Sequence, residues 1–157
     1  QAFFGVSEST HKGVRVMSLE AIVANSIAER VHKDQKDLAG ISMMHHVYGV
    51  SRAVKHLGDK YTIVALLHDS IEDAHESIRE DIETEIKAVF DEEIVDAVYA
   101  MTHRINEAYH DEYLVRVMKN PIAKVVKIAD IKNNLSRMDN IDDPEIRRIL
   151  ENKYHKA

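Results

Sequence analysis

Glycine and proline, the residues that most often mark turns, are scarce in this chain. The 157 residues include 5 Gly and 2 Pro, too few for the regularly spaced turns of a β-sandwich or barrel. Apolar side chains instead recur at helical spacing, as at Leu19, Ile22, Val23, Ile27 and Val31. A chain of this length fits one compact domain. We therefore predict an all-α fold, a bundle of about eight helices.

Capping and helix-ending residues predict where these helices lie. The approximate predicted ranges are 18–36, 46–57, 61–73, 77–90, 91–101, 107–118, 121–138 and 143 to near the C-terminus. Ser18 and Asp91 are predicted N-caps, and Ser77 with Glu80 has the pattern of a capping box. The third helix is almost entirely apolar in its first half, so we expect it to be the central, buried one.

The sequence predicts neither a membrane span nor a signal peptide. The longest apolar run, residues 63–67, is far shorter than the ~20 residues that cross a bilayer. The first residues lack the charged-then-apolar layout of a signal peptide. Our hypothesis is that Met17 is the natural start, that residues 1–16 are a tag or a loose extension, and that residues 17–157 form a single domain.

Composition limits the possible chemistry. The chain has no Cys, which excludes disulfides, thiolate metal sites and a cysteine nucleophile, and is compatible with a cytoplasmic location. The net charge of −6 argues against general nucleic-acid binding, because counterion release requires a basic surface. Any metal would therefore be held by His nitrogens and carboxylate oxygens. The chain has 10 His residues.

The segment at residues 66–73 breaks a strongly apolar helix with four ionisable side chains. At helical spacing His68 would lie one turn from Glu72, and Asp69 one turn from Asp73. Three carboxylates this close repel one another unless a counter-charge is present, which suggests a divalent cation. The alternative is an exposed helix end beside a satisfied buried His68, and this segment alone does not decide between them.

Two other predicted helices direct ligands toward the same interior. His46 lies one turn before Val50 on the core-facing side of the second helix, and Asp130 lies one turn after Val126 on the seventh. Asn134 follows one turn later. The combined set of His46, His68, Asp69 and Asp130 gives two imidazoles and two carboxylates, which suit Mn, Fe, Zn or a similar ion with positions left open.

A His, a later His-Asp pair and a distant Asp resemble the pattern of the HD phosphohydrolase superfamily. The likeness extends to the RelA/SpoT-type hydrolase domain over about residues 28–138. The matching segments, in order, are Val31-His32-Lys33-Asp34-Gln35, Met43-Met44-His45-His46-Val47-Tyr48-Gly49-Val50, Ala65-Leu66-Leu67-His68-Asp69-Ser70-Ile71-Glu72-Asp73 and Val126-Lys127-Ile128-Ala129-Asp130-Ile131-Lys132-Asn133-Asn134-Leu135. The short chain is similar to the stand-alone small hydrolases of that group.

The resemblance implies hydrolysis of the 3′-diphosphate of guanosine tetraphosphate or pentaphosphate, with release of diphosphate. It implies Mn as the cofactor, while Fe, Zn, Co, Ni and Mg remain open. By motif position, the implied metal ligands are His46, His68, Asp69 and Asp130, the implied catalytic pair is Glu72 and Asp73, and the implied nucleotide contact is Asn134. His32 matches a family His near the site, which we interpret as supporting rather than ligating the metal.

The implied base contact is where the sequence departs from that family. Asp37 and Leu38 stand where the family usually carries an Arg-Lys pair that packs on guanine, and Lys36 is the candidate substitute. Lys127 and Arg137, which share a helix face with Asp130, are further candidates for binding substrate phosphates, although ordinary surface cations would give the same pattern.

Two other functions remain open at this point. The first is an HD-family phosphatase acting on another nucleotide or a nucleotide cofactor, which Asp37 and Leu38 favour. The second is a nucleotide-binding module without turnover, against which the full set of ligands and the Glu72-Asp73 pair argue. The expected partner is a small-molecule nucleotide, with no nucleic acid and no membrane. Homo-oligomerisation cannot be read from the sequence.

Overall fold

The computed structural model describes residues 17–156, and this part of the chain is all-α, as predicted. Its eight α-helices are α1 (Leu19–His32), α2 (Met43–Val54), α3 (Asp59–Leu67), α4 (Glu76–Val89), α5 (Glu92–Ala100), α6 (Leu114–Met118), α7 (Pro121–Ser136) and α8 (Pro144–Lys156). Lys36 and Ser42 form an isolated antiparallel bridge in the loop after α1. The hypothesis about residues 1–16 lies outside the described residues.

Helix α3 is the centre of the bundle. Its residues from Ile63 to Leu67 are all 2% exposed or less, and α1, α2, α5 and α7 all pack against it. Removing a Leu or Ile side chain from water contributes roughly 1.5–3 kcal/mol. The apolar run seen in the sequence therefore forms the core, and the polar residues next along the chain emerge where several helices meet.

Local capping chemistry sets several helix starts as predicted. The Ser18 hydroxyl accepts a hydrogen bond from the Ala21 amide, at 3.1 Å. The Asp91 carboxylate accepts from the Ile94 amide at the same distance. Pro121 occupies the first turn of α7, where its missing N–H costs nothing. These starts agree with the sequence because each depends on contacts within a few residues.

Two predicted helices end earlier than expected. Helix α1 stops at His32 rather than Lys36, because the Asp37 carboxylate accepts hydrogen bonds from the Ala39 and Ile41 amides and closes a turn instead. Helix α3 stops at Leu67 rather than at residue 73. There the His68 imidazole lies 2.7 Å from the Ala65 carbonyl, the group that a continuing helix would pair with the amide of residue 69.

One predicted feature of the later chain is wrong, and another is right only in part. The N-cap of α4 is His75, whose Nδ1 accepts from the Ser77 amide at 3.1 Å, so the capping box expected at Ser77 does not form. The predicted helix over residues 107–118 is a π-helical turn at Tyr109–Tyr113 followed by α6. Glu107 and Glu112 each accept a hydrogen bond from a nearby backbone amide, which holds the chain in this irregular path.

Candidate metal centre and its cleft

Three predicted ligands converge in the core, although they are far apart in sequence. His46 comes from α2, His68 follows α3, and Asp130 comes from α7; all three are 3% exposed or less. One ligand atom from each lies within 4.8 Å of the others. Asp130 Oδ1 is 2.9 Å from His46 Nε2 and 3.5 Å from His68 Nε2. Helix packing therefore places two imidazoles and a carboxylate at one point.

The ring orientation of both histidines leaves Nε2 facing this point. His46 Nδ1 lies 2.6 Å from the Asn133 side-chain oxygen, and His68 Nδ1 lies 2.7 Å from the Ala65 carbonyl. Since both partners are acceptors, each Nδ1 carries the proton, and Nε2 is the nitrogen available for a metal. His68 Nε2 is buried without a well-aligned hydrogen-bond partner. This donor set fits a divalent cation.

The Asp130 carboxylate is held by hydrogen bonds from two neighbouring side chains. It accepts from Lys127 Nζ at 2.8 Å and from the Asn134 side-chain amide at 3.2 Å. Burial opposes its charge, but Lys127 and His68 outweigh burial and hold the pKa of Asp130 well below its ordinary value. Asp130 therefore stays ionised, as a metal ligand must.

Asp69 and His68 form a second charged contact at the rim of the cluster. Asp69 Oδ2 lies 3.1 Å from His68 Nε2. Burial opposes the charge of both groups, but their attraction prevails: it lowers the pKa of Asp69 to about 2, and together with Asp130 it raises the pKa of His68. The group of ligand atoms within 4.8 Å of one another comprises His46, His68 and Asp130 and does not include Asp69. The role of Asp69 as a fourth ligand stays a prediction.

The predicted catalytic pair lies in the turn after α3, not on a helix wall. The Asp73 amide donates to the Asp69 carbonyl at 2.9 Å, so these two residues remain one helical turn apart. The Glu72 carboxylate accepts from the His103 amide at 2.9 Å. Burial, reinforced by Asp69 and Glu72, raises the pKa of Asp73 to about 8. Desolvation within the cleft also raises the pKa of Glu72, although this residue is exposed.

Side chains that the sequence did not single out hold this turn in place. Arg79, from α4, donates to the carbonyls of Ile71 and Ala74, at 3.0 and 2.8 Å. The Gln35 side chain donates to the Asp73 carbonyl at 2.8 Å, and His32 Nδ1 lies 2.7 Å from the same Gln35 side chain. This agrees with the interpretation that His32 supports the site, because its contact runs through Gln35.

A cavity of about 210 Å³ opens over these groups. Its lining includes eight of the predicted site residues, and His68 is buried behind them. The eight are His46, Asp69, Glu72, Asp73, Lys127, Asp130, Asn134 and Arg137. The lining residues that the sequence analysis did not single out are Met43, His103, Tyr109, Tyr113, Lys153 and Tyr154. Met43 lies one helical turn before His46, within the same motif, so spacing could have indicated it. The other five have no spacing relation to the ligand motifs, so no local signal could have found them.

A second cavity, of about 250 Å³, adjoins the first and shares Asn134, Arg137 and Tyr154 with it. The structure places Lys36 here, outside the metal cleft. Arg137 joins the two cavities: its guanidinium donates to Asp37 at 2.7 Å and to the Asn134 side chain at 2.6 Å. Lys127 lies on α7 and Arg137 is the residue that follows the end of this helix, and each of the two is paired with an acid.

Within residues 17–156, no helix is both long and apolar enough to cross a membrane.

Comparison with known proteins agrees with this architecture. A solved structure described as a metazoan ortholog of SpoT that hydrolyzes ppGpp and plays a role in starvation responses shares the fold, with a TM-score of 0.73. The two sequences are 20% identical, and the match covers 91% of this chain and 85% of that one. No curated protein matches the sequence significantly. The HD domain family model matches residues 24–152. With its all-α bundle and its His/His/Asp cluster, this chain belongs to the HD domain family.

Proposed function

We propose that this protein is a metal-dependent phosphohydrolase that removes the 3′-diphosphate from guanosine tetraphosphate or pentaphosphate. The observation that carries the proposal is the convergence of His46, His68 and Asp130 on one point, beside the Glu72-Asp73 turn and at the floor of an open cleft. The metazoan SpoT ortholog of similar fold is described as hydrolyzing ppGpp, which supports this substrate for the present chain.

The chain's own residues can supply the proton chemistry of such a reaction. A bound divalent cation, with Mn as the proposed ion, would be held by His46, His68, Asp69 and Asp130, and would supply Lewis-acid activation. Water attacks the phosphorus bonded to the ribose 3′-oxygen, and the bond from that phosphorus to the 3′-oxygen breaks. The 3′-oxygen gains the proton given up by the water and becomes a hydroxyl, and diphosphate leaves with the water oxygen. Glu72 and Asp73 take up the water proton; the pKa of Asp73, about 8, suits a group that gains and loses a proton near neutral pH.

The adjoining cavity gives the nucleoside a place to bind. It shares Asn134 and Arg137 with the metal cleft, so a molecule could occupy both cavities at once, with its phosphates toward the metal. Leu38 and Met138 offer apolar surface there for a base. Asn134, whose amide is oriented by Asp130 and Arg137, is the proposed nucleotide contact between the two cavities.

One observation favours a second candidate, a phosphatase of the same family that acts on another nucleotide or nucleotide cofactor. Asp37 lines the nucleoside cavity and is paired with Arg137, whereas the RelA/SpoT pattern places a stacking Arg-Lys pair in this loop. Without that pair, a cation–π contact worth roughly 0.5–2 kcal/mol is missing from guanine binding. This change does not alter the metal ligands, so the protein could bind a nucleotide with another base more tightly.

A nucleotide panel separates the candidates. The protein, stripped of metal and reloaded with Mn, is incubated with guanosine tetraphosphate, guanosine pentaphosphate and a set of other phosphorylated nucleotides and dinucleotide cofactors. We expect diphosphate release from the first two, with Fe, Zn, Co, Ni and Mg compared in parallel. Orthophosphate release from another nucleotide would establish the second candidate. Tight metal and nucleotide binding without any product, across metals and pH, would instead identify a binding module without turnover.

A further inference from the structure

The cations that line the metal cleft are not equally available to a substrate. Lys127 Nζ is 2.8 Å from Asp130, and Arg137 is 2.7 Å from Asp37, so both charges are already neutralised by a carboxylate. The third lining cation is Lys153 of α8. Among the described residues 17–156, no acidic oxygen lies within 4.0 Å of Lys153 Nζ. Among the described lysines and arginines that line the cleft, Lys153 is therefore the one whose charge is not paired with a carboxylate.

The position of Lys153 is built by two packed elements. Its backbone carbonyl is 3.0 Å from His110 Nε2, which ties α8 to the π-helical turn at Tyr109–Tyr113. Its Nζ lies 4.4 Å from the centroid of the Tyr109 ring and 5.3 Å from that of Tyr154. Contacts of this kind hold a cation without neutralising it. The ammonium group is thus held at the cleft wall with room for an anion.

Electrostatics at this position favour an incoming anion. Burial, and next to it the positive charge of Lys127, lower the pKa of Lys153. Lys127 also approaches the same ring, with Nζ 5.5 Å from the Tyr109 centroid. An anionic group placed between the cleft and Lys153 would stabilise the charged ammonium group against both effects. Phosphate oxygens are strong acceptors for such an ammonium group.

We propose that Lys153 binds a phosphoryl group of the substrate other than the one attacked, and so makes the enzyme favour diphosphate over monophosphate esters. This rests on the proposed function and deepens it. The metal ligands and the Glu72-Asp73 turn act at the attacked phosphorus, and their charges do not depend on how many phosphoryl groups lie beyond it. Lys153 lies on α8, a helix that contributes none of those residues. Its ammonium group adds a contact that only a second phosphoryl group can make.

The test compares two inorganic anions on three variants. Lys153→Met keeps an unbranched side chain against the tyrosine rings but removes the charge, Lys153→Arg keeps the charge, and Lys156→Met removes an exposed charge from the same helix. Binding of inorganic diphosphate and of orthophosphate to Mn-loaded protein is measured by calorimetry. We expect Lys153→Met to weaken diphosphate binding about 10- to 100-fold, with orthophosphate changed less than about threefold. Lys153→Arg and Lys156→Met should stay close to wild type.

Several outcomes would overturn the proposal. One is diphosphate binding by Lys153→Met that equals wild type; another is an equal loss for both anions, which would indicate a general field or structural effect. Absence of diphosphate binding by the wild type would also overturn it. The melting temperature of each variant identifies loss of folding, and in that case Lys153→Gln takes the place of the Met variant.

The proposed function can fail separately from this inference. If wild type releases no diphosphate from guanosine tetraphosphate while the contrast between the two anions holds, then Lys153 has its assigned role and the nucleotide is wrong. If wild type does hydrolyse guanosine tetraphosphate, Lys153→Met should raise KM for it by a factor similar to its loss of diphosphate binding, and kcat should change less.

Discussion

The two halves of the cleft are built in different ways. On the metal side, His46, His68 and Asp130 are almost fully buried and lie on or next to three helices of the core. On the substrate side, Asp37 belongs to the loop after α1, and Lys153 belongs to α8, a helix in which no described residue is buried. We therefore expect substitutions on the metal side to disturb the core more than substitutions on the substrate side do.

Charge pairing sets one substrate-side cation apart from the other charged groups. Each metal-side group has a hydrogen-bonding or ion-pairing partner: Asn133 and Ala65 for the two imidazoles, Lys127 for Asp130. On the substrate side, Arg137 is paired with an acid, whereas Lys153 lies against tyrosine rings. Substitutions on the metal side should therefore change metal content, turnover and stability together, while those on the substrate side should change KM alone.

The largest effect is expected from Asp130→Ala. This removes a metal ligand and leaves the buried Lys127 ammonium without its partner. Breaking a buried pair costs about 3–5 kcal/mol, so we expect loss of bound metal, loss of turnover and a clearly lower melting temperature. Elemental analysis and thermal unfolding measure this, with Asp96→Ala, an acid on α5 outside the cleft, as the control. Full metal content in the variant would contradict the assigned ligand.

The double variant Glu72→Ala with Asp73→Ala should separate catalysis from metal binding. Assistance by a general base typically contributes ~10² to 10⁴ in rate, so we expect turnover to fall by that range while Mn remains bound. Steady-state kinetics and metal analysis on the same sample give both readings. Glu80→Ala with Asp81→Ala, an exposed acidic pair on α4, is the matched control. An unchanged kcat would remove the role assigned to the pair.

Asn133→Ala tests whether a neighbour of the ligands controls the metal. Asn133 holds His46 through a 2.6 Å contact to Nδ1, and loss of such a partner typically costs roughly 10–100-fold in metal affinity. Gly49→Ala should act in the same direction, since a Cβ there would lie 2.4 Å from the Asn133 side chain. Competition with a metal chelator measures the affinity, and Lys132→Ala, at the neighbouring position, is the control. Equal affinities would show that His46 is oriented without this contact.

Asp73 should make the stability of the metal-free protein depend on pH. Its pKa in the folded protein is about 8, compared with an ordinary value of 3.8. Between these values the folded state binds more protons than the unfolded state, so stability falls as pH rises. We expect the melting temperature of wild type to fall relative to Asp73→Asn between about pH 4 and pH 8. Parallel curves for the two proteins would show that Asp73 is not perturbed.

The smallest effect is expected from Asp37→Asn on the substrate side. The amide oxygen can still accept from the Ala39 and Ile41 amides, but the charge that neutralises Arg137 is lost. A partly exposed pair contributes at most about 1 kcal/mol, so we expect KM for the nucleotide to fall by up to about fivefold, with kcat and metal content unchanged. A change in metal content would contradict the separation between the two halves of the cleft.

Much of the fold and of the metal side could be predicted because its signals are local. The apolar run of α3, the caps at Ser18 and Asp91, and the ligand motifs each lie within a few residues. The end of α3 was mispredicted because it depends on the His68 side chain, which binds a backbone carbonyl, and on Arg79 from another helix. Helical spacing alone could not reveal either contact.

The amino-acid sequence by itself determined the helical class, the central helix and three side chains that meet in the fold, His46, His68 and Asp130. The reason is that apolar periodicity and each ligand motif are carried by residues close together in sequence. Only the tertiary structure decided which cations are already paired, how Asn133 orients His46, and that Lys153 reaches the cleft from α8. The physical reason is that charge pairing and burial depend on distances between distant segments, which are set when the helices pack.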